Sequence, residues 1–393
     1  MGPVSSTVSA PASLLRARTA VGLAFGLNGA LFSTFVSRVP DLRSGLDLGN
    51  GGLGVLLLMI AVGSLVALPT SGALVARFGA AAVVRSAAVL SVSGMALAAV
   101  AADVVGSVPV AAVGLVAQGA GIGAWDVAMN LEGAEVERRL GRTIMPRFHA
   151  GFSLGTVLGA LLGVAVVALG VSMAPHLVVL GAAVLGAVLL ATRTFLPVEP
   201  EPAPSGSAAA WREPRTLAVG VMVLAFAVAE GSANDWLTLA LVDGYDVEHW
   251  VGVGGFALFV SAMTLGRLLG PVVLDRWGRA PCLWATAALS AVGLLLVVHG
   301  QVWPVVVVGI VAWGMGASLG FPVGMSAAAD DPARAAARVS VVSTIGYAAF
   351  LGGPPLLGSL GDRVGTLPAL QVVAVLMVPA AVAVLATRPV RAS

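Results

Sequence analysis

Charge is what this chain has least of. Only 10% of its 393 residues are Asp, Glu, Lys or Arg, against about 25% in a soluble globular protein. With 21 basic and 19 acidic side chains, a water-exposed surface for a chain of this length cannot be built. A soluble globular fold is thereby excluded. Lysine is missing altogether, so every basic residue is an arginine. The arginines form no basic tail or stripe and the net charge is only +2, which argues against a nucleic-acid partner. One cysteine, Cys282, rules out an internal disulfide and a cysteine metal cluster. There is no H-E-x-x-H helix and no phosphate-cradling loop. No metal, cofactor or catalytic residue is therefore expected.

What remains is apolar: 58% of residues are hydrophobic and the mean hydropathy is +0.99. The bilayer must be the main solvent. A membrane helix needs about 20 mostly apolar residues. Twelve segments qualify, near 18–37, 51–75, 83–102, 108–131, 147–170, 174–192, 215–241, 251–273, 281–299, 303–326, 337–360 and 366–387. With the N-terminus inside, 18 arginines fall on the cytoplasmic side. Only Arg38, Arg43 and Arg363 fall outside. That bias predicts an inner-membrane protein with both termini cytoplasmic.

The longest polar break, residues 193–214, is rich in Pro, Glu, Ser and Gly and reads as a flexible cytoplasmic linker. It divides the chain into six-helix halves, 1–192 and 215–393. The halves echo each other. Asn28-Gly29-Ala30 matches Glu230-Gly231-Ser232, ALVARFG (73–79) matches VVLDRWG (272–278), and VAMN (127–130) matches VGMS (323–326). Two six-span halves related by an internal repeat point to a secondary transporter.

Three loops carry a resemblance to a known family. They are Gly72-Ala-Leu-Val-Ala76-Arg77-Phe-Gly79, Asp275-Arg276-Trp277-Gly278-Arg279, and Gly358-Ser-Leu-Gly-Asp362-Arg363-Val-Gly365. They resemble the G-x-x-x-D-R-x-G-R loop of the major facilitator superfamily, and the likeness extends over essentially the whole chain. The first copy has Ala76 where the aspartate usually stands, and Pro271 replaces a glycine in the second. Within the superfamily, GIGAWDVAMN (121–130) is similar to the fourth span of fucose-type sugar/proton symporters. WDVAMNLEGAEVERRLGR, MPRFHAGFSLG and AEGSANDW resemble a bacterial subgroup related to them. The resemblance implies an all-α membrane protein of twelve helices, in two six-helix repeats around a central cavity lined by spans 1, 4, 7 and 10. It also implies a monomer.

A carboxylate inside a span costs a few kcal/mol or more, so it must face a wet cavity, find a partner or take up a proton. Asp126 and Glu230 lie well inside spans, with Asp235 less deep. Asp126 and Asn130 are one helical turn apart and share a face, with Trp125 on the adjacent strip. Span 5 runs antiparallel to span 4, which predicts His149 at a depth similar to Asp126, able to accept its proton. The structural alternative is an ion pair of Asp126 with Arg147 or Arg142. In span 7, Glu230 and Asn234 share a face and form a second cluster with Asp235 and Trp236.

The implied cavity would collect Asn28, Trp125, Asp126, Asn130, the residues 230–236 and Trp313. Amides and carboxylates beside tryptophans suit a polar ligand with an apolar face, such as a sugar. Span 1 has no acidic residue where fucose-type symporters carry one, which moves a coupling role toward Glu230. Asp275, flanked by Arg276 and Arg279, and Arg77 in the first copy are the expected gate. An aspartate can accept bonds from helix N-terminal amides and pair with arginine, and across the halves it would hold the cytoplasmic side shut. Glycines every four residues in span 5 (Gly151, Gly155, Gly159, Gly163) predict close helix approach, and Pro354-Pro355 predicts a kink in span 11.

The expected function is proton-coupled movement of a small polar solute across the bilayer. Proton-driven efflux of amphipathic compounds is the alternative, although span 5 lacks the G-P-x-x-G-G motif of such antiporters. A membrane receptor or enzyme ranks last.

Overall fold

The computed structural model describes residues 12–141, 144–196, 210–331 and 334–387. Among these residues the protein is all-α. Twelve helices are long and apolar enough to cross a membrane. Spans 1 to 6 are Ala12–Val36, Asn50–Phe78, Ala80–Val105, Val108–Leu140, Met145–Ala168 and Met173–Thr194. Spans 7 to 12 are Pro214–Tyr245, His249–Trp277, Arg279–His299, Trp303–Ala328, Ala337–Val364 and Thr366–Thr387.

Every expected segment has its helix, and the helices run past the apolar stretches. Span 4 continues nine residues beyond 131 because nothing in LEGAEVERRL breaks a helix. It stops where Gly141 takes a left-handed conformation, φ +62°, and bonds back to Glu137 and Arg138. Of the linker, residues 197–209 lie outside the described residues, as do Arg142, Arg388 and Arg391. Short 3-10 turns, Thr192–Thr194 and Ala210–Arg212, flank that gap.

The internal repeat appears as one packing scheme used twice. Span 1 packs on span 5, span 2 on span 4, and span 3 on spans 4 and 6; spans 7 and 11, 8 and 10, and 9 with 10 and 12 repeat those pairings. Glycines set the same seams in both halves. A methyl group on Gly121 would lie 2.4 Å from the Ser91 nitrogen, and one on Gly316 would lie 2.3 Å from the Ser290 nitrogen. Gly94 meets the Gly114 carbonyl as Gly293 meets that of Gly309. Small residues let the backbones touch, which apolar side chains in lipid cannot otherwise arrange. The span 5 glycines do the same against span 1: a methyl on Gly155 would sit 1.9 Å from the Gly26 oxygen.

The three loop copies also share one backbone. Gly79, Gly278 and Gly365 have φ of +81°, +79° and +92°. Each N–H bonds to the carbonyl four residues back, at 2.8, 2.8 and 2.9 Å. Only glycine enters that region without strain, which explains the last glycine of each signature.

Between the halves, span 2 packs on span 11 and span 5 on span 8. The helix of span 11 continues through Pro354 and Pro355, and Gly54 of span 2 approaches at this point, its missing methyl 2.4 Å from the Pro354 oxygen. Irregularity appears instead in spans 7 and 10. Ala233–Leu237 forms a π turn, and span 10 is interrupted at Ser318-Leu319. Wider turns of this kind often mark functional sites.

Candidate functional site

Two charged stations sit at mid-span, one in each half. On span 4, Asn130 donates its amide to the Asp126 backbone oxygen at 2.8 Å and to Oδ1 at 3.2 Å. The turn-apart geometry expected for this pair is thus present. Among the described residues Asp126 has no arginine partner, and Arg147 makes no bond to it. Tyr347 of span 11 lies within electrostatic reach of Asp126 from the other half.

The second station is an ion pair. Arg267 of span 8 donates through Nη2 to both Glu230 oxygens, at 3.0 and 2.9 Å, and its Nε lies 3.5 Å from the Ser318 carbonyl. The charge bias groups Arg267 with the cytoplasmic loop arginines. It lies instead inside a span, ten residues before the helix ends at Trp277. Its partner is 37 positions away, a distance that composition alone does not connect. Glu230 is therefore charge-compensated, and Asp126 is not.

Other expected neighbours are redistributed. The π turn, Ala233–Leu237, begins three residues beyond Glu230 and carries Asn234, Asp235 and Trp236. Asn234 is buried, while Asp235 is half-buried and makes no hydrogen bond among the described residues. His149 is not level with Asp126. Phe148 packs against Gly133, seven residues further along span 4, about 10 Å at 1.5 Å per residue. The His149 ring instead packs edge-on against Phe25 of span 1 at 5.1 Å and lies within electrostatic reach of Arg267.

Trp125, Trp236 and Trp313 are all buried, with at most 1% of their surface exposed. Trp313 is a packing residue of spans 7, 8 and 10: it donates Nε1 to the Ala229 oxygen at 3.2 Å and meets Phe259 edge-on. Trp125, Trp236 and Asn28 differ. Their buried Nε1 and Nδ2 groups have no hydrogen-bond partner among the described residues, so three buried donors stand unsatisfied. Buried donors without partners are uncommon.

Glu132 is a further carboxylate, one that no motif in the sequence singles out. It lies in the extension of span 4, fully buried, with Oε1 accepting from the Leu196 N–H and Oε2 unpartnered among the described residues. The letters G-x-S-x-G also occur twice, at 151–155 and 316–320. Ser153 lies inside the span 5 helix and Ser318 at the break in span 10; both serines are buried, and Ser318 donates to the Met315 oxygen. Neither forms the strand-to-helix turn that a nucleophile requires.

At the arginine-rich end the expected clamp is not made. Asp275 has no hydrogen bond or ion pair among the described residues. Arg77 and Arg276 lie over their neighbours Phe78 and Trp277, at 5.2 and 5.9 Å. Arg279 bonds within its own half, to Asp330 at 2.6 Å and Ser326 at 3.0 Å. Arg215 holds the other Asp330 oxygen at 2.8 Å. Burial would push the Asp330 carboxyl up, but the hydrogen bonds from Arg279 and Arg215 outweigh it and hold the group below its ordinary value. Glu213 is pulled down to about 2, first by its bond from Arg338 and then by that from Thr216.

The hydrogen bonds that join the halves among the described residues sit at the opposite end. Arg43 holds Asp243 through two bonds of 2.5 and 2.7 Å. Asp362 accepts from the N–H groups of Asn50 and Gly51. His249 meets the Ser37 carbonyl at 3.2 Å and lies 3.7 Å from Asp41. The closed end is therefore the arginine-poor one, and its aspartate belongs to the third loop copy.

This architecture has known counterparts. The model of the Major Facilitator Superfamily matches residues 250–393. The "uncharacterized transporter y4wD" of Sinorhizobium fredii is 32% identical over 87% of this chain and 90% of its own length. An "uncharacterized MFS-type transporter" of Yersinia pestis is 30% identical over 91% and 92%. Among solved structures, the nucleoside transporter NupG superposes with a TM-score of 0.74 at 16% identity, covering 96% of this chain and 99% of that one.

Proposed function

The chain belongs to the major facilitator superfamily of membrane transporters, and from that premise we propose that it moves a small polar solute by alternating access, coupled to protons. The arginine bias orients both termini and the open end toward the cytoplasm. The two halves, joined by the 193–214 linker, rock about the contacts of span 2 with span 11 and span 5 with span 8.

One observation carries the coupling. Asp126, inside a span, has only the amide of Asn130 as a side-chain partner among the described residues, whereas Glu230 is paired with Arg267. A carboxylate in the membrane without a countercharge is the group that gains by exchanging a proton as its surroundings change. The unsatisfied donors of Asn28, Trp125 and Trp236 suit a solute rich in acceptor oxygens, a description that covers sugars and the nucleosides carried by NupG.

The test is transport in proteoliposomes. Asp126→Asn should abolish accumulation driven by a pH gradient while leaving exchange of labelled for unlabelled solute intact. Full accumulation by the mutant would remove the assignment.

A further inference from the structure

Arg267 is an arginine used by halves. Both of its bonds to Glu230 leave from Nη2, and Nε reaches the Ser318 oxygen only at 3.5 Å. Nη1 makes no hydrogen bond among the described residues. A guanidinium offers five donors in a planar fork that matches a carboxylate with two parallel bonds. The orientation found here leaves one edge of that fork unused. The side chains of Arg267 and Glu230 are 27% and 22% exposed, so the pair borders open space and is not sealed in packing.

The surroundings make that open edge unusual. Arg267 lies in a membrane span, where an arginine is costly and an unused donor more so. Gly266 lies against Ser318, and the Ser318 hydroxyl is spent on the Met315 oxygen. His149, from the other half, is the nearby titratable neighbour. A role confined to neutralising Glu230 would be met by a fork facing the carboxylate squarely. Here the carboxylate straddles a single nitrogen and holds the guanidinium by one corner.

We propose that the free edge of Arg267 binds a carboxylate of the transported solute, so that the cargo is a small organic acid such as a sugar acid. Glu230 acts as the positioning residue that fixes the guanidinium. This rests on the transport reading above and narrows it from polar solutes to anionic ones. Asp126, on the opposite half, is left to carry the proton. Import of an anion with a proton is then electrically balanced for a monocarboxylate.

The experiment uses the full-length protein in detergent and a chemical probe of the arginine itself. Phenylglyoxal modifies accessible arginines, and peptide mass spectrometry reads the rate at Arg267. Gluconate and glucuronate should slow modification of Arg267 at least threefold, while glucose and inorganic phosphate should not. Direct binding of the protecting acid should weaken roughly tenfold or more in the neutral pair Glu230→Gln/Arg267→Gln, as expected for loss of a charge-assisted bond. Arg267→Lys should recover part of it. The double variant avoids stranding Glu230, and thermal unfolding checks that it is folded.

An Arg267 that phenylglyoxal does not reach overturns the proposal. So does protection by glucose or phosphate in place of the acids, or protection by none of them. Protection by acids in a protein that accumulates nothing under a pH gradient would retain the anion site and remove proton coupling. Accumulation of neutral solutes without protection would do the reverse.

Discussion

Asp362, near the end of span 11, accepts hydrogen bonds of 2.8 Å from the backbone N–H groups of both Asn50 and Gly51, the first residues of span 2. A carboxylate there satisfies two amides that no helical carbonyl can reach and meets the positive end of the helix dipole. Arg43 extends the contact by bonding both Asn50 and Asp243, and Thr366 adds a bond to Asp243. The aspartate of the third loop copy, with Arg43 and Asp243, thus serves as the clasp of the closed end.

Asp362→Asn should loosen this clasp by about 1–2 kcal/mol. In a Cys282→Ser background, a cysteine at buried Ser232 reports opening through labelling by a membrane-impermeant maleimide applied from the arginine-poor side. The labelling rate should rise roughly 5- to 30-fold. An unchanged rate would mean that Asp362 does not hold the end shut.

Glu230→Gln should lower stability by up to about 3 kcal/mol, because it strands the Arg267 charge in a span. The double variant Glu230→Gln/Arg267→Gln should recover most of that loss. Thermal unfolding of the two proteins decides it: equal destabilisation would show that the pair contributes no mutual compensation.

The glycine seams predict a contrast between positions. Gly119→Ala places a methyl 1.9 Å from the Ile60 oxygen, whereas Gly72 and Gly186 face open space. The first substitution should destabilise by about 1–3 kcal/mol. The other two should be neutral or mildly stabilising through helix propensity. Three similar unfolding temperatures would contradict the seam account.

Glu213 predicts a pH effect. Its folded value, about 2, lies below the ordinary 4.5. The depressed carboxyl contributes stability above about pH 4.5, and that contribution drains away as pH falls toward 2. The unfolding temperature of wild type should exceed that of Glu213→Gln at pH 6, and the gap should narrow below about pH 4.5 and close only near pH 2. A gap that stays undiminished between pH 4.5 and pH 2 would count against the Arg338 bond as its source.

The bundle is legible in the sequence because apolar length and arginine bias are local quantities. The pairing of Asp126 with Asn130 is also legible, since four residues on one helix fix their own geometry. Arg267 escapes such a reading because its partner, Glu230, sits on another span and an apolar window tolerates one arginine. The depth of His149 escapes it too, since the register of spans 4 and 5 is fixed by Phe148 against Gly133 and not by span counts. The clasp role of Asp362 cannot be read from sequence at all. The motif is visible, but its partners lie 311 and 312 positions away in the other half.

The clasp lies at one end of the bundle and the proposed solute stations at mid-span, yet under alternating access the two are thermodynamically bound together. Any free energy that favours the closed end must be overcome before solute can be met from that side. Each 1.4 kcal/mol in the Arg43–Asp243 and Asp362 contacts therefore weakens apparent affinity from the arginine-poor side about tenfold, with no change at the binding residues. Reciprocally, a solute that binds one access state better resets how often the clasp is fastened. The directional bias of the carrier is thus adjustable at a surface loop that never touches cargo.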